Sequence, residues 1–125
     1  MSIFIYQNKR GIVPFIQWKK EVCLKDPSMN KKINNILTMM EKNTLLLKAP
    51  NVKRMISRLP KHRHLFKIRI GKYRMFFIFK NNNYYILHAF QKNTQTTPKK
   101  ECVLVDHEIN EKHYILFNEI KRKEI

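Results

Sequence analysis

The stretch Leu65–Glu101, LFKIRIGKYRMFFIFKNNNYYILHAFQKNTQTTPKKE, decides the fold of this chain. It contains three runs rich in aromatic and β-branched residues: Leu65–Ile70, Tyr73–Lys80 and Tyr84–Phe90. Short connections separate these runs, namely Gly71-Lys72 and Asn81-Asn82-Asn83. Gly and Asn tolerate the left-handed backbone that tight hairpin turns require. The stretch therefore predicts a three-stranded antiparallel meander.

The first two runs alternate in a way that gives this meander one cationic face. Successive side chains of a strand point to opposite faces of its sheet. In the first run, Lys67 and Arg69 alternate with apolar residues, and Arg74 begins a similar alternation in the second. His88 and Phe90 share one face of the third run.

The chain before the meander predicts a strand followed by two helices. Ser2–Gln7 has the composition of a strand. Pro14–Leu24 has Pro in its first turn and apolar residues at helical spacing. A second helix ends near Asn43, and a core face at helical spacing identifies it: Met29, Ile33, Ile36, Leu37 and Met40. The short connection favours an antiparallel helical hairpin.

Two further segments complete the prediction. Val52–Ile56 is either a short strand or a single turn. After the meander, Thr97 as N-cap and Pro98 at the first helical position predict a C-terminal helix. Its apolar stripe comprises Cys102, Val105, Ile109 and Leu116.

The predicted fold class is α+β in a single domain, 1–125, with an N-terminal strand and helical hairpin packed on an antiparallel sheet, followed by a C-terminal helix. No apolar run reaches the roughly 18 residues of a membrane helix, and the N-terminus does not resemble a signal peptide. The two cysteines, Cys23 and Cys102, fall in helical patterns and are expected to be buried free thiols. We therefore expect a cytoplasmic protein with no membrane partner.

Charge is the strongest compositional feature. The chain carries a net charge of +17, and the segment 42–100 contains fifteen Lys or Arg but no Asp or Glu. The central sheet is therefore expected to lie in an unbroken positive potential, which attracts polyanions. A merely solvated Lys-rich surface is the alternative, but a general excess of lysine would not exclude acids from half the chain. This distribution favours a nucleic-acid partner.

The residues also bear on the chemistry. A Mg²⁺-dependent nuclease needs clustered carboxylates, which the basic segment lacks, so we expect no metal or other cofactor. If the protein cuts nucleic acid without a metal, RNA is the expected substrate, because its 2′-OH can attack the neighbouring phosphate. His62-x-His64 has metal-ligand spacing, but the surrounding cations favour a phosphate-contacting loop instead. This loop contains Arg58, Lys61, His62 and Arg63.

At this point the sequence resembles a known family. The resemblance is carried by Arg69, Tyr73-Arg74, His88-x-Phe90-x-Lys92 and Thr97-Pro98-Lys99-Lys100-Glu101. These residues have the spacing of the HigB-like, phage-related branch of the RelE/ParE superfamily of type II toxins. The resemblance covers most of the chain. It implies a RelE-like fold, a ribosome-dependent mRNA endonuclease with 16S rRNA contacts, and a cognate antitoxin of the helix-turn-helix type.

The resemblance also suggests roles for individual residues. Arg69 and Arg74 match strand positions that face the scissile phosphate, and Lys67 either holds phosphate or acts as a base of lowered pKa. His88 is a general acid or base, or else a core histidine. Phe90 either stacks on a base or packs in the core. Lys92 contacts phosphate or rRNA, and Lys99 and Lys100 are general RNA contacts.

The sequence departs from the family at the position of Lys67, where many HigB-like relatives carry a carboxylate. A carboxylate base is therefore not expected in the core. A second class of function also remains open, namely a non-enzymatic binder. It would be a ParE-like inhibitor of DNA gyrase or an inactive RNA-binding relative. Retention of Arg69, Arg74, His88 and Lys92 favours the enzyme.

Overall fold

The computed structural model describes residues 2–45, 51–93 and 96–118. In chain order, its strands and helices are β1 (Ile3–Tyr6), α1 (Pro14–Lys25), α2 (Ser28–Glu41), β2 (Val52–Arg54), β3 (Leu65–Ile70), β4 (Tyr73–Lys80), β5 (Asn83–Gln91), α3 (Lys99–Glu111) and β6 (Tyr114–Leu116). In this part of the chain, no helix has the length and apolar character needed to span a membrane.

The six strands form one sheet in the order β2-β3-β4-β5-β1-β6. The predicted meander is confirmed, because β3, β4 and β5 pair antiparallel. β1 runs parallel to β5, and β6 closes the far edge antiparallel to β1. Val52–Ile56, whose sequence fits either a strand or a turn, supplies β2. The sequence did not predict β6. The α+β class and the helical hairpin are confirmed.

The sheet packs on both of its faces. Helices α1 and α2 cover one face, where the core includes Phe15, Ile33, Met40, Ile68 and Phe77. Helix α3 covers part of the other face, where a smaller cluster comprises Tyr6, Met55, Leu65, Phe76, Leu87, Phe90, Cys102 and Val105. The cationic residues of β3 and β4 share this second face. They lie beside the N-terminal end of α3, which does not cover them. Cys102 is buried and Cys23 is half-buried, both as free thiols.

Two details of the C-terminal helix were predicted wrongly. Its N-cap position is occupied by Pro98, without a side-chain capping bond, and the first helical residue is Lys99. Thr97 is therefore not the cap, and its buried hydroxyl faces the sheet. The helix ends at Glu111 because Lys112 adopts a left-handed conformation, with φ of 56°. Leu116 lies in β6 rather than on the helical stripe.

A β-bulge in β5 determines which side chains face α3. Met75 pairs with Ala89 and Phe77 pairs with Ile86, so two residues of β5 oppose the single residue Phe76. The extra residue interrupts the simple alternation of faces. As a result, Leu87 joins the smaller cluster, and the ring of the next residue, His88, also contacts Phe76 at 5.3 Å between centroids.

Candidate nucleic-acid interface

Four of the five residues predicted to be catalytic line one cleft on the cationic face of the sheet. β3 contributes two of them, β4 a third, and the fourth follows β5 directly. The cleft has a volume of about 160 Å³. We call it the cationic cleft, and it is lined by Asn51, Lys53, Lys67, Arg69, Arg74 and Lys92. So many cations around one small cavity fit a polyanion better than any neutral ligand.

The two arginines of the cleft are paired directly across the β3–β4 hairpin. Like charges in this relation destabilise a sheet. Arg74 Nη1 is held by the carbonyl oxygens of Gly71 at 3.1 Å and Tyr73 at 2.9 Å, while Arg69 Nε donates to Gly71 at 3.4 Å. Burial, followed by the charge of Arg69, lowers the pKa of Arg74. A bound phosphate would relieve this repulsion.

Lys67 is a half-buried cation of the cleft, as Arg74 and Lys92 are. Its Nζ donates to Thr97 Oγ1 at 2.6 Å, which ties β3 to the segment that leads into α3. Burial, and then the charges of Lys92 and Arg74, lower the pKa of Lys67 from 10.5 to about 8. Roughly a tenth of such amines are neutral at pH 7. Lys67 can therefore accept a proton as well as hold an anion.

Lys92 closes the cleft from the end of β5. Its backbone N–H donates to the carbonyl oxygen of Lys72 at 2.9 Å, which fixes the chain at this point. Desolvation, and then the charge of Arg74, lower the pKa of Lys92. An ammonium of lowered pKa gives up its proton more readily than a free lysine.

His88, the fifth predicted catalytic residue, is not part of the cationic cleft. It is buried against α3, with Nδ1 2.7 Å from Glu108 Oε1 and Nε2 3.0 Å from Glu101 Oε1. Burial lowers the pKa of the ring, but the hydrogen bond and charge of Glu108, and then those of Glu101, outweigh this effect and raise it. A buried carboxylate therefore lies beside His88, since Glu108 is only 1% exposed, although the departure from the family at Lys67 predicts no carboxylate base in the core.

Phe90 lies in the same buried layer. It is 7% exposed, and its ring packs 5.4 Å from Phe76 and 6.1 Å from His88, centroid to centroid. In this conformation its faces are occupied by the core. Of the two roles considered for Phe90, the geometry favours packing.

Most of the predicted RNA contacts gather at a second cavity, between the 58–62 segment and α3. It has a volume of about 530 Å³, and we call it the helix groove. Arg63 and Lys100 are exposed and do not line it. Its lining comprises Arg58, Leu59, Pro60, Lys61, His62, Lys99, Cys102, Val103 and Asp106.

His62 has a partner within this groove. Its Nε2 lies 2.7 Å from Asp106 Oδ1. Within the described residues, no group of three or more His, Cys, Asp or Glu side chains is arranged to hold a metal ion. His62 therefore belongs to a polar pair at the edge of the groove, beside the predicted phosphate contacts.

The sequence matches one known protein family over most of its length. The profile of the family described as "Phage derived protein Gp49-like (DUF891)" matches residues 24–110, more than two thirds of the sequence. The chain belongs to this family. Gp49-like proteins belong to the RelE/HigB-type toxin superfamily and are associated with toxin–antitoxin systems, which implies an antitoxin as partner. A search among curated proteins finds no match to the chain.

Proposed function

We propose that this Gp49-like protein is a HigB-like toxin of a type II toxin–antitoxin system and cleaves mRNA on the translating ribosome without a metal. The observation that carries the proposal is Lys67, whose pKa is lowered to about 8 inside a cleft lined by Arg69, Arg74 and Lys92. This cleft joins a proton acceptor to fixed positive charges, which are the two requirements of RNA cleavage through the 2′-OH. Such a cleft repels metal cations.

The reaction follows from these positions. Neutral Lys67 takes the proton of the 2′-OH, the 2′-oxygen bonds to the adjacent phosphorus, and the bond from phosphorus to the 5′-oxygen breaks. Arg69 and Arg74 stabilise the extra negative charge of the phosphorane. The leaving 5′-oxygen takes a proton from Lys92. The products are a 2′,3′-cyclic phosphate and a 5′-hydroxyl.

His88 does not contact the reacting groups. Both its ring nitrogens face carboxylates, which leaves neither for a substrate. Its pairing with Glu101 and Glu108 holds α3 against the sheet. Thr97, just before α3, is the acceptor for Lys67, so we assign His88 a positioning role.

The remaining contacts are assigned to RNA and to the antitoxin. The exposed cations Arg58, Lys61, Arg63, Lys99 and Lys100 contact mRNA or 16S rRNA phosphates, which carry affinity rather than sequence information. His62, at the edge of the helix groove, is a further RNA contact. The cognate antitoxin is of the helix-turn-helix type. All of these partners are cytoplasmic.

Replacing Arg74 by Ala tests the proposal. We expect wild-type expression to produce mRNA 5′ ends within codons on translating ribosomes. The variant should cleave about 10²- to 10³-fold more slowly, the usual effect of removing one donor to a developing oxyanion. The measurement is mapping of 5′ ends during induced expression, with rates from purified ribosome complexes.

Arg10→Ala is the matched control, because Arg10 is an exposed arginine in the turn between β1 and α1. It should cleave like the wild type. Growth arrest with intact mRNA would contradict the nuclease and indicate the alternative, a ParE-like inhibitor of gyrase. No growth arrest together with retained RNA binding would indicate an inactive RNA-binding relative.

The pH dependence of cleavage follows from the pKa of Lys67. A base acts in its neutral form and an acid in its protonated form, so kcat/KM should rise roughly tenfold per pH unit below about pH 8 and fall again at the higher pH at which Lys92 loses its proton. Single-turnover rates on stalled ribosome complexes between pH 6 and pH 9 would measure this. In Lys67→Arg the side chain stays charged, and the rise should disappear. A wild-type rate that is independent of pH would remove Lys67 as the base.

A further inference from the structure

The helix groove has the size and lining of a site for one small ring system. Its volume of about 530 Å³ falls in the range of small-molecule sites. Leu59, Pro60 and Val103 line it with apolar surface, and Val103 is 62% exposed. Arg58 and Lys99 add positive charge to the same groove. Apolar walls together with cations suit a nucleobase and its flanking phosphates.

The groove and the cationic cleft are linked through the segment 97–99. Thr97 accepts a hydrogen bond from Lys67 of the cleft, and Lys99, two residues later, lines the groove. This short segment, which leads into α3, connects the two sites, so a nucleotide next to a scissile phosphate in the cleft can reach the groove.

An oriented carboxylate lies at the edge of the groove. Asp106 Oδ1 is 2.7 Å from His62 Nε2, and Asn110 Nδ2 donates to Oδ2 at 3.4 Å. An ionised carboxylate offers about four acceptor positions, and the side chain of Asp106 is 43% exposed. It can therefore accept from a ligand in the groove. Its remaining acceptor positions suit the N–H donors of a nucleobase, while Arg58 and Lys99 suit the flanking phosphates.

We propose that the helix groove binds one RNA base beside the scissile phosphate and prefers guanine to uracil. This inference rests on the proposed function of the cleft. Guanine presents two adjacent N–H donors on its Watson–Crick edge, which match the two oxygens of Asp106. Uracil presents one N–H between two carbonyl oxygens, which the carboxylate repels. Leu59 and Val103 contact the faces of the base.

The test is the affinity of the full chain for two labelled 2′-O-methyl hexaribonucleotides, UUUUUU and UUGUUU, which cannot be cleaved through the 2′-oxygen. Fluorescence anisotropy at one fixed salt concentration should give about tenfold tighter binding of UUGUUU, the effect of one good base contact. Asp106→Asn should make the two affinities about equal. Equal affinities in the wild type, or an unchanged ratio in Asp106→Asn, would overturn the proposal.

A second pair of variants is independent of Asp106. Val103→Glu places a charge inside the groove, whereas Leu104→Glu makes the same change on an exposed neighbour of the same helix that does not line it. Only Val103→Glu should abolish the preference for guanine. If instead both variants retain it and Val103→Glu alone loses the antitoxin, the groove is a protein interface and the proposal fails.

These measurements need neither ribosomes nor cleavage. A guanine preference that depends on Asp106 would support the groove even if mRNA stayed intact during expression. Cleavage of mRNA by a protein without this preference would remove the groove proposal and leave the proposed function standing.

Discussion

Replacing Lys67 by Met is expected to slow mRNA cleavage by about 10²- to 10⁴-fold, the range for loss of a general acid or base. Met keeps much of the length of the side chain but has no amine to accept the 2′-OH proton. Lys67 is half-buried beside Thr97, and its burial is the first cause of its lowered pKa. Met leaves the buried hydroxyl of Thr97 without this donor, at a cost of about 1–3 kcal/mol, so urea denaturation of the variant must show that it is folded before the rates are compared. Cleavage rates on purified ribosome complexes would measure the effect.

Two further variants separate the possible roles of this lysine. Lys80→Met removes the same charge from the exposed end of β4, outside the cationic cleft, and should leave the rate nearly unchanged. Lys67→Arg keeps the charge but cannot deprotonate near pH 8. If it cleaves as fast as the wild type at pH 7, Lys67 holds phosphate and another group is the base.

The central sheet could be predicted because its signals are local. Alternation along Leu65–Ile70 and Tyr73–Lys80 determines which side chains share a face, and Gly71 with Asn81 and Asn82 supplies the positive φ angles of the turns. This alternation is sufficient to assign the cations of β3 and β4 to one surface. β6 could not be predicted, because a three-residue strand depends on its partner β1 for its definition.

The carboxylates of the core were missed because they come from outside the segment that lacks acids. Glu101 and Glu108 lie 13 and 20 residues after His88, and only the packing of α3 on the sheet brings them to it. A signal was nevertheless present. Glu108 falls between Val105 and Ile109 on the apolar stripe of the helix, where a charge predicts a buried partner. The positive potential of the sheet is therefore interrupted on this side.

The contact of Thr97 could likewise not be predicted from the local sequence. A threonine before a proline fits an N-cap, and the local sequence favours that interpretation. In the structure the Thr97 hydroxyl accepts a hydrogen bond from Lys67, which is 30 residues earlier in the chain. The candidate site thus depends on α3 being held in place, and this dependence makes the contacts of His88 matter for activity.

Replacing Glu108 by Gln is expected to destabilise the protein by about 1–2 kcal/mol, because a charge-assisted hydrogen bond to His88 becomes a neutral one while Glu101 remains. Both ring nitrogens of a histidine donate only when the ring is protonated, and each here faces a carboxylate. The variant removes the charge of Glu108 from beside buried His88, although the amide oxygen of Gln can still accept from Nδ1–H. Urea denaturation at pH 6 would measure the change, and Glu21→Gln on the exposed surface of α1 is the control, with little effect expected.

The pH dependence of this loss distinguishes an ion pair from simple packing. The folded-state pKa of His88 is raised above 6.5, so its charge adds stability that is fully present below pH 6.5 and is lost as the pH rises through the folded-state value. The difference in free energy of unfolding between wild type and Glu108→Gln should therefore be larger at pH 6 than at pH 9. Because Gln keeps the shape of Glu, an equal difference at both values would show that the charge of His88 does not contribute to the loss. In that case a neutral His88 would be sufficient to hold α3 beside the cationic cleft.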